Sequence, residues 1–324
     1  MKLRLAILTT LGFALGLYLL KAVGWHAVLS AVLGIGWAGF VVFCLCALGL
    51  FALLGVAWRA LLPEGSAPGP WLFIRARMVR DASAEVLPFS QLGGIALGVR
   101  AAILQGLPAP LASASMIVDV TTEMLAQIAY VALGVAILVA RVPRDSRVAS
   151  LTTACVIGLV VAALAAGLFI AVQRHGRRIT SYLAAPLLRA AGQTLTGVSA
   201  ALQEIYRSPP RVFLSVTLHF AAWITSAMVV WVGFRLIGSH VDLAAVLAIE
   251  SLVYAIRSVG VLVPNALGVQ EGAYVILAPL FGVSAEMALA MSVLKRAREL
   301  AVGVPVLLVW QAAEGRRALA GGPA

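Results

Sequence analysis

An all-α, polytopic bundle of transmembrane helices is the fold class this sequence predicts, and three observations carry it. Hydrophobic residues make up 62% of the chain and charged residues only 11%, against roughly one-quarter charged in soluble domains. Mean hydropathy is +1.02. Several apolar runs exceed the ~20 residues needed to cross a hydrocarbon layer about 30 Å thick.

Those runs place helices near 4–23, 37–62, 113–140, 148–172, 211–237, 243–263 and 285–312. The first begins after Lys2 and Arg4 and ends at Lys21 without a small-x-small cleavage site, so it reads as a retained span, not a signal peptide. Turn-rich loops fall at Pro63 to Pro70 and at Arg141 to Arg147. Between 179 and 207, Arg189, Gln193, Gln203, Glu204 and Arg207 stand among Leu and Ala, as in an amphipathic, interfacial helix. The chain is read as one integral membrane domain, 1–324.

Net charge is +11. The basic residues sit in short loops: Arg174, His175, Arg177 and Arg178 follow one apolar run, and Arg316 and Arg317 follow the last. This is a positive-inside topology signal, favourable to anionic headgroups, and it argues for a multi-pass protein of the bacterial inner membrane. No nucleic-acid motif accompanies the charge, so no nucleic-acid partner is expected. Cys44, Cys46 and Cys155 lie inside apolar runs, and the four histidines are scattered. Neither a metal nor any other cofactor is expected. Gly34, Gly36 and Gly39 predict close helix packing.

Two segments break the pattern of plain spans. One runs from Arg80 through Pro88 to Gly93 and Gly94; the other runs from Arg257 through Pro264 to Gly268. Each sets an Arg seven or eight residues before a Pro, a Gly four or five residues after it, and then a short apolar helix. Glu123 and Glu299 also lie equally far beyond the two prolines. The shared layout predicts an internal two-fold pseudo-repeat, with halves near 1–178 and 179–324. Proline removes a backbone donor and glycine relaxes the dihedral limits, so both helices should break or re-enter within the bilayer. Broken backbone costs several kcal/mol per unpaired group in hydrocarbon, and it is tolerated only inside protein or beside a wet cavity.

The expected substrate site follows. From the first segment it takes Arg80, Glu85, Pro88, Gln91, Gly93, Gly94 and, further on, Arg100. From the second it takes Arg257, Pro264, Asn265, Gly268 and Glu271. Asp119 and Glu123 are four apart and share a helix face, so with Arg298 they could relay protons or ions. A purely structural role is open for each: Arg257 could pair with Glu250 or Glu271, and Asp119 and Glu123 with Arg100 or Arg298. No phosphate-binding loop, nucleophile elbow or dinucleotide fingerprint occurs, so no catalytic residue is assigned.

The run Val263-Pro264-Asn265-Ala266-Leu267-Gly268-Val269-Gln270-Glu271, followed by Lys295-Arg296-Ala297-Arg298, resembles the flippase-like membrane domain of the lysylphosphatidylglycerol synthase family. The segment Asp81 to Leu104, with Leu87-Pro88-Phe89-Ser90-Gln91-Leu92-Gly93-Gly94 and Arg100, is closest to the hopanoid-biosynthesis-associated branch of that family. The resemblance implies movement of lipids between leaflets and, with the chain ending at Ala324, a transport-type domain without the aminoacyl-transferase part. It implies membrane lipids, anionic or hopanoid-type, as ligands, and lipid-biosynthesis enzymes as partners. Two alternatives stay open: an intramembrane enzyme acting on a polyprenyl or glycolipid substrate, and a non-transporting scaffold for lipid synthesis.

Overall fold

The computed structural model describes residues 25–63, 68–87, 90–143, 146–183, 192–259, 266 and 268–319; the expected span at 4–23 and residues Pro88, Pro264 and Asn265 lie outside them. Ten α-helices and one 3-10 turn form the described part: α1 (Trp25–Ala60), α2 (Pro70–Val86), α3 (Ser90–Leu104), α4 (Ala109–Arg141), α5 (Ser146–Leu183), α6 (Gly192–Tyr206), α7 (Pro209–Leu236), α8 (Leu243–Val259), α9 (Val269–Leu277), the turn Ala278–Phe281, and α10 (Ala285–Leu319).

Four stretches are long and apolar enough to cross a membrane: Leu33–Ala60, Ala109–Arg141, Val148–Arg174 and Pro209–Leu236. They match four of the expected spans. The fold is an all-helical membrane bundle. The run expected at 243–263 is the 17-residue helix α8, about 26 Å long at 1.5 Å per residue and shorter than the hydrocarbon layer. The run at 285–312 lies within α10, where Lys295, Arg296, Arg298 and Glu299 interrupt the apolar sequence. Helix α10 also carries Pro305 in its interior.

Local chemistry sets several of these limits. Helices α2, α4 and α7 each begin with proline in the first turn, where the missing N–H would have had no partner anyway. Helix α1 ends where Arg59 turns back and donates to the carbonyls of Leu62 and Pro68. Helix α2 ends because Leu87 precedes a proline: its backbone is extended, at φ −94° and ψ 150°, as the pre-proline clash demands.

The chain reverses immediately after α2. Gly94 of α3 faces the Arg80 carbonyl and Ala84, and Gly98 faces the Arg80 side chain, so α2 and α3 are antiparallel. Helices α8 and α9 form a second antiparallel pair, with Gln270 opposite Arg257 and Tyr274 opposite Glu250. Each pair surrounds one of the two proline segments singled out in the sequence, and no helix of either pair has the length of a span.

Two apolar cores hold the bundle. One gathers Phe43, Leu138, Val230, Ile249, Leu252 and Met291; the other gathers Trp58, Phe73, Ala102, Met116 and Val118. Along α4 the two cores are separated by Asp119, Thr122 and Glu123. Outside them, α5 presents Ile157, Val161, Leu164 and Leu168 outward, as a lipid-facing helix does.

The glycines expected to mediate close packing do so only in part. Gly34 and Gly36 face open space, and Gly36 instead kinks α1 at φ +71°. Gly39 meets Leu236. The tightest approaches lie elsewhere: a Cβ on Gly55 would sit 2.5 Å from the Ile74 Cα of α2, and one on Gly134 would collide with the Ser251 hydroxyl of α8. Crossings of this kind let backbones approach where lipid offers no hydrophobic drive for association.

Gly55→Ala is expected to cost about 1–3 kcal/mol through overpacking, read as a lower melting temperature of the purified protein in detergent. Outside the spans, Asp242 accepts the Ala245 N–H at the start of α8 and pairs with Arg141 at 2.7 Å. Slight burial raises its pKa, but the Ala245 N–H and the Arg141 guanidinium outweigh that and hold it below the ordinary aspartate value. A depressed carboxyl stabilises the fold above its unfolded value and loses that contribution as pH falls through the folded one. Asp242→Ala should therefore lower stability by about 1 kcal/mol at neutral pH, with the difference from wild type vanishing in acid unfolding series.

Candidate functional site

Helix α2 is short and charged in an otherwise apolar molecule. Arg77, Arg80 and Asp81 stand three and four residues apart and so share one face. That face meets Asp119 and Glu123 on α4, one turn apart. Arg77 donates from Nε to Asp81 at 2.7 Å, from Nη1 to Asp119 at 2.8 Å and from Nη2 to Glu123 at 2.6 Å. Arg80 donates to the same Asp119 oxygen at 3.2 Å and to the other Glu123 oxygen at 2.8 Å. The second oxygen of Asp119 lies 3.0 Å from His219 Nε2 of α7. Arg77, Arg80, Asp119 and His219 are buried.

A second charged group surrounds α9 and α10. Lys295 donates to Glu250 at 2.8 Å, and the Tyr274 hydroxyl donates to the same carboxylate. Arg296 reaches Glu271 at 3.2 Å and Glu299 at 3.1 Å. Glu271 also accepts the Gly268 N–H at 2.8 Å, which caps α9 where Gly268 adopts φ +77°. Arg257 donates to Gln270 at 2.7 Å, and Gln270 in turn donates to Ser292.

Between the two groups lies a cavity of about 140 Å³, room for several waters or a compact polar group. Its charged lining comes from both: Arg77, Arg80, Asp81, Glu85 and Glu123 on one side, Arg257, Arg298 and Glu299 on the other. Phe51, Trp223 and Tyr254 supply the apolar walls. Among the described residues no carboxylate lies within ion-pair distance of Arg257 or Arg298. Arg257 sits over the Tyr254 ring and Arg298, only 8% exposed, over the Phe43 ring. A guanidinium that faces a polar cavity inside the bundle, with no carboxylate in ion-pair distance, is a candidate anion contact.

The expected residues divide accordingly. Arg80, Glu85, Glu123, Arg257 and Arg298 line the cavity, and Asp119 stands directly behind it. Gly94 packs α3 against α2, Gly93 lies beside it in α3, and Glu271 and Gly268 secure α9. Arg100 stands apart, paired with Glu314 of α10 at 2.8 Å. Pro88, Pro264, Asn265 and the side chain of Gln91 lie outside the described residues. The partners differ from those weighed above: Asp119 and Glu123 are held by Arg77 and Arg80, Glu250 by Lys295, and Glu271 by Arg296. Arg77 and His219 were missed. The Arg77 spacing to Arg80 and Asp81 and the isolation of His219 inside an apolar span were the available signals.

Removing one member of a buried ion cluster strands its partners, at a cost of about 3–5 kcal/mol. Arg77→Met should therefore destabilise the protein by about that much, whereas Arg100→Met, at a half-exposed pair, should cost under about 1 kcal/mol; thermal unfolding in detergent distinguishes them.

The sequence matches the Lysylphosphatidylglycerol synthase TM region family over residues 3–306. No curated protein and no solved structure matches it. The match runs across both antiparallel helix pairs and every charged residue lining the cavity, so the chain, an integral membrane protein, belongs to the Lysylphosphatidylglycerol synthase TM region family.

Proposed function

We propose that the protein is a lipid translocase of the bacterial inner membrane, whose central cavity receives a polar headgroup while the acyl or polycyclic part of the lipid stays in the bilayer. The observation that carries this reading is the pair Arg257 and Arg298, which face a cavity inside an apolar bundle and have no carboxylate within ion-pair distance among the described residues. A phosphate or other anionic headgroup would give each guanidinium the direct charge-assisted contact that no carboxylate among the described residues makes. The two antiparallel pairs, α2 with α3 and α8 with α9, are the equivalent elements of an internal repeat, and relative rocking of the halves about this site would expose it to either leaflet. A hopanoid-type lipid is the favoured cargo, on the resemblance of the Asp81 to Leu104 segment.

The test is leaflet exchange of fluorescent lipid analogues in proteoliposomes. Wild-type protein should accelerate exchange, and Arg257→Gln or Arg298→Gln should slow it by at least about tenfold, since a charge-assisted hydrogen bond contributes roughly 1.5–3 kcal/mol. Unchanged exchange in both variants would overturn the headgroup assignment. Accumulation of an unprocessed precursor lipid in membranes carrying Asp119→Asn would favour an intramembrane enzyme instead.

A further inference from the structure

A second and larger hollow lies apart from the central cavity, between α2, α3 and α10, with a volume of about 510 Å³. That is within the roughly 300–1,000 Å³ that small-molecule sites occupy. Met78, Val79, Leu104, Val306, Val309 and Trp310 give it apolar walls, and its polar residues are Arg75, Gln105 and Glu314. The cavity and this groove share no lining residue. Helix α2 turns Arg77, Arg80, Asp81 and Ala84 to the cavity. Its groove residues, Arg75, Met78 and Val79, fall on the opposite side by the helical repeat.

The groove has a wet end and a dry end. Arg59, at the close of the α1 span, donates to Pro68 just before α2 begins at Pro70, so the first turns of α2 stand level with the end of a span. The C-terminus of the antiparallel α3 stands there as well, four residues before the span of α4 begins at Ala109. Glu314 reaches that level through its pair with Arg100 of α3 at 2.8 Å. Arg75, Gln105 and Glu314 are thus at the membrane surface, where Trp71 is exposed as in an interfacial belt. From Glu314 back to Pro305, the dry end, α10 covers nine residues, about 14 Å at 1.5 Å per residue. This is close to half of a hydrocarbon layer about 30 Å thick, the depth of one leaflet. Glu314 is occupied by Arg100, whereas the exposed Arg75 makes no ion pair or hydrogen bond among the described residues. The mouth of the groove therefore carries a net positive charge, and Val309, 71% exposed, leaves its wall open to the bilayer. An apolar helix of another protein would cover Arg75 without answering its charge.

We propose that this groove binds one anionic phospholipid of the adjoining leaflet, with its phosphate at Arg75 and an acyl chain running inward along Met78, Val79 and Val309 to Pro305. The guanidinium gives the phosphate a charge-assisted contact, and the chain fills an apolar hollow that the described helices leave open. A lipid seated there touches α2, α3 and α10 together. It braces the short helix that carries Arg77 and Arg80 from the side away from the cavity. The site stands whether or not the protein moves lipid, because it requires only that a lipid be held.

Photo-crosslinking of the full-length protein in nanodiscs tests the site. The probe is phosphatidylglycerol with a diazirine in one acyl chain, diluted in phosphatidylethanolamine, and adducts are mapped by peptide mass spectrometry. Adducts should concentrate on Met78, Leu104 and Val309 and exceed those on Val161 and Leu164 of the lipid-facing α5 by about tenfold or more. Val309→Trp, a change at an exposed position that fills the groove, should remove them; should it fail to fold, Ala313→Trp at another exposed lining position serves the same purpose. Arg75→Gln should weaken competition by unlabelled phosphatidylglycerol about three- to tenfold and leave competition by phosphatidylethanolamine unchanged. Free glycerol phosphate should not compete, which separates a lipid from a soluble phosphate. Equal labelling of the groove and of α5 would mean annular lipid only and overturn the proposal, as would labelling that survives both tryptophan variants. Equal competition by the two lipids in wild type would overturn the anionic assignment. Groove labelling that persists in Arg298→Gln, or in a protein that exchanges no lipid, keeps this site distinct from the headgroup cavity; its loss in Arg298→Gln would overturn that separation.

Discussion

The bundle depends on neutralising charge within a layer that has apolar packing on both sides. Phe43 and Trp58 of α1 belong to different cores, and the cavity-lining residues Ala47 to Leu54 lie between them. The same sequence of apolar, charged and apolar residues recurs along α4. Hydrocarbon and protein core alike would expel the arginines and carboxylates of this layer if they stood alone. Their mutual hydrogen bonds and a small polar cavity are what allow the layer to exist.

That constraint explains why α2 and α8 are short. A helix carrying Arg75, Arg77, Arg80, Asp81 and Glu85 in 17 residues has no continuous apolar face to offer lipid. It enters the protein interior, meets α4 and α10, and returns as the more apolar α3. Helix α8 behaves likewise: Glu250 and Arg257 point inward to Lys295 and Gln270, and the chain comes back as α9. Each pair flanks a proline, whose missing amide and restriction of the preceding residue disfavour a continuous helix.

Much of this was legible in the sequence. Composition alone gave the class, and hydropathy located the four spans. The two proline segments marked the places where helices reverse, because proline and glycine act through the local backbone. The pairing of charges was not legible. Asp119 could have met any of several arginines, and the choice of Arg77 and Arg80 over Arg100 or Arg298 was made by helix crossings that sequence spacing does not encode. His219 shows the same limit: one histidine in an apolar span has no partner in sequence, and its contact with Asp119 spans 100 residues. The glycines misled for a related reason. Gly34 and Gly36 form a dense cluster in sequence, yet the close approaches occur at isolated Gly55 and Gly134, where backbones happen to cross.

Pro305 gives α10 a mechanical property that its continuous outline conceals. With no amide hydrogen at that position, the carbonyl of Ala301 loses its partner four residues on. This weak rung lies less than two turns beyond Glu299, the last charged residue of the cavity lining. The helix thus has one half pinned by Lys295 and Arg296 and, beyond the missing rung, a second half held by Trp310 against the second core and by Glu314 to Arg100. A missing rung between two fastened ends is where this helix bends most readily, since a change of angle there breaks no backbone hydrogen bond that is not already lost.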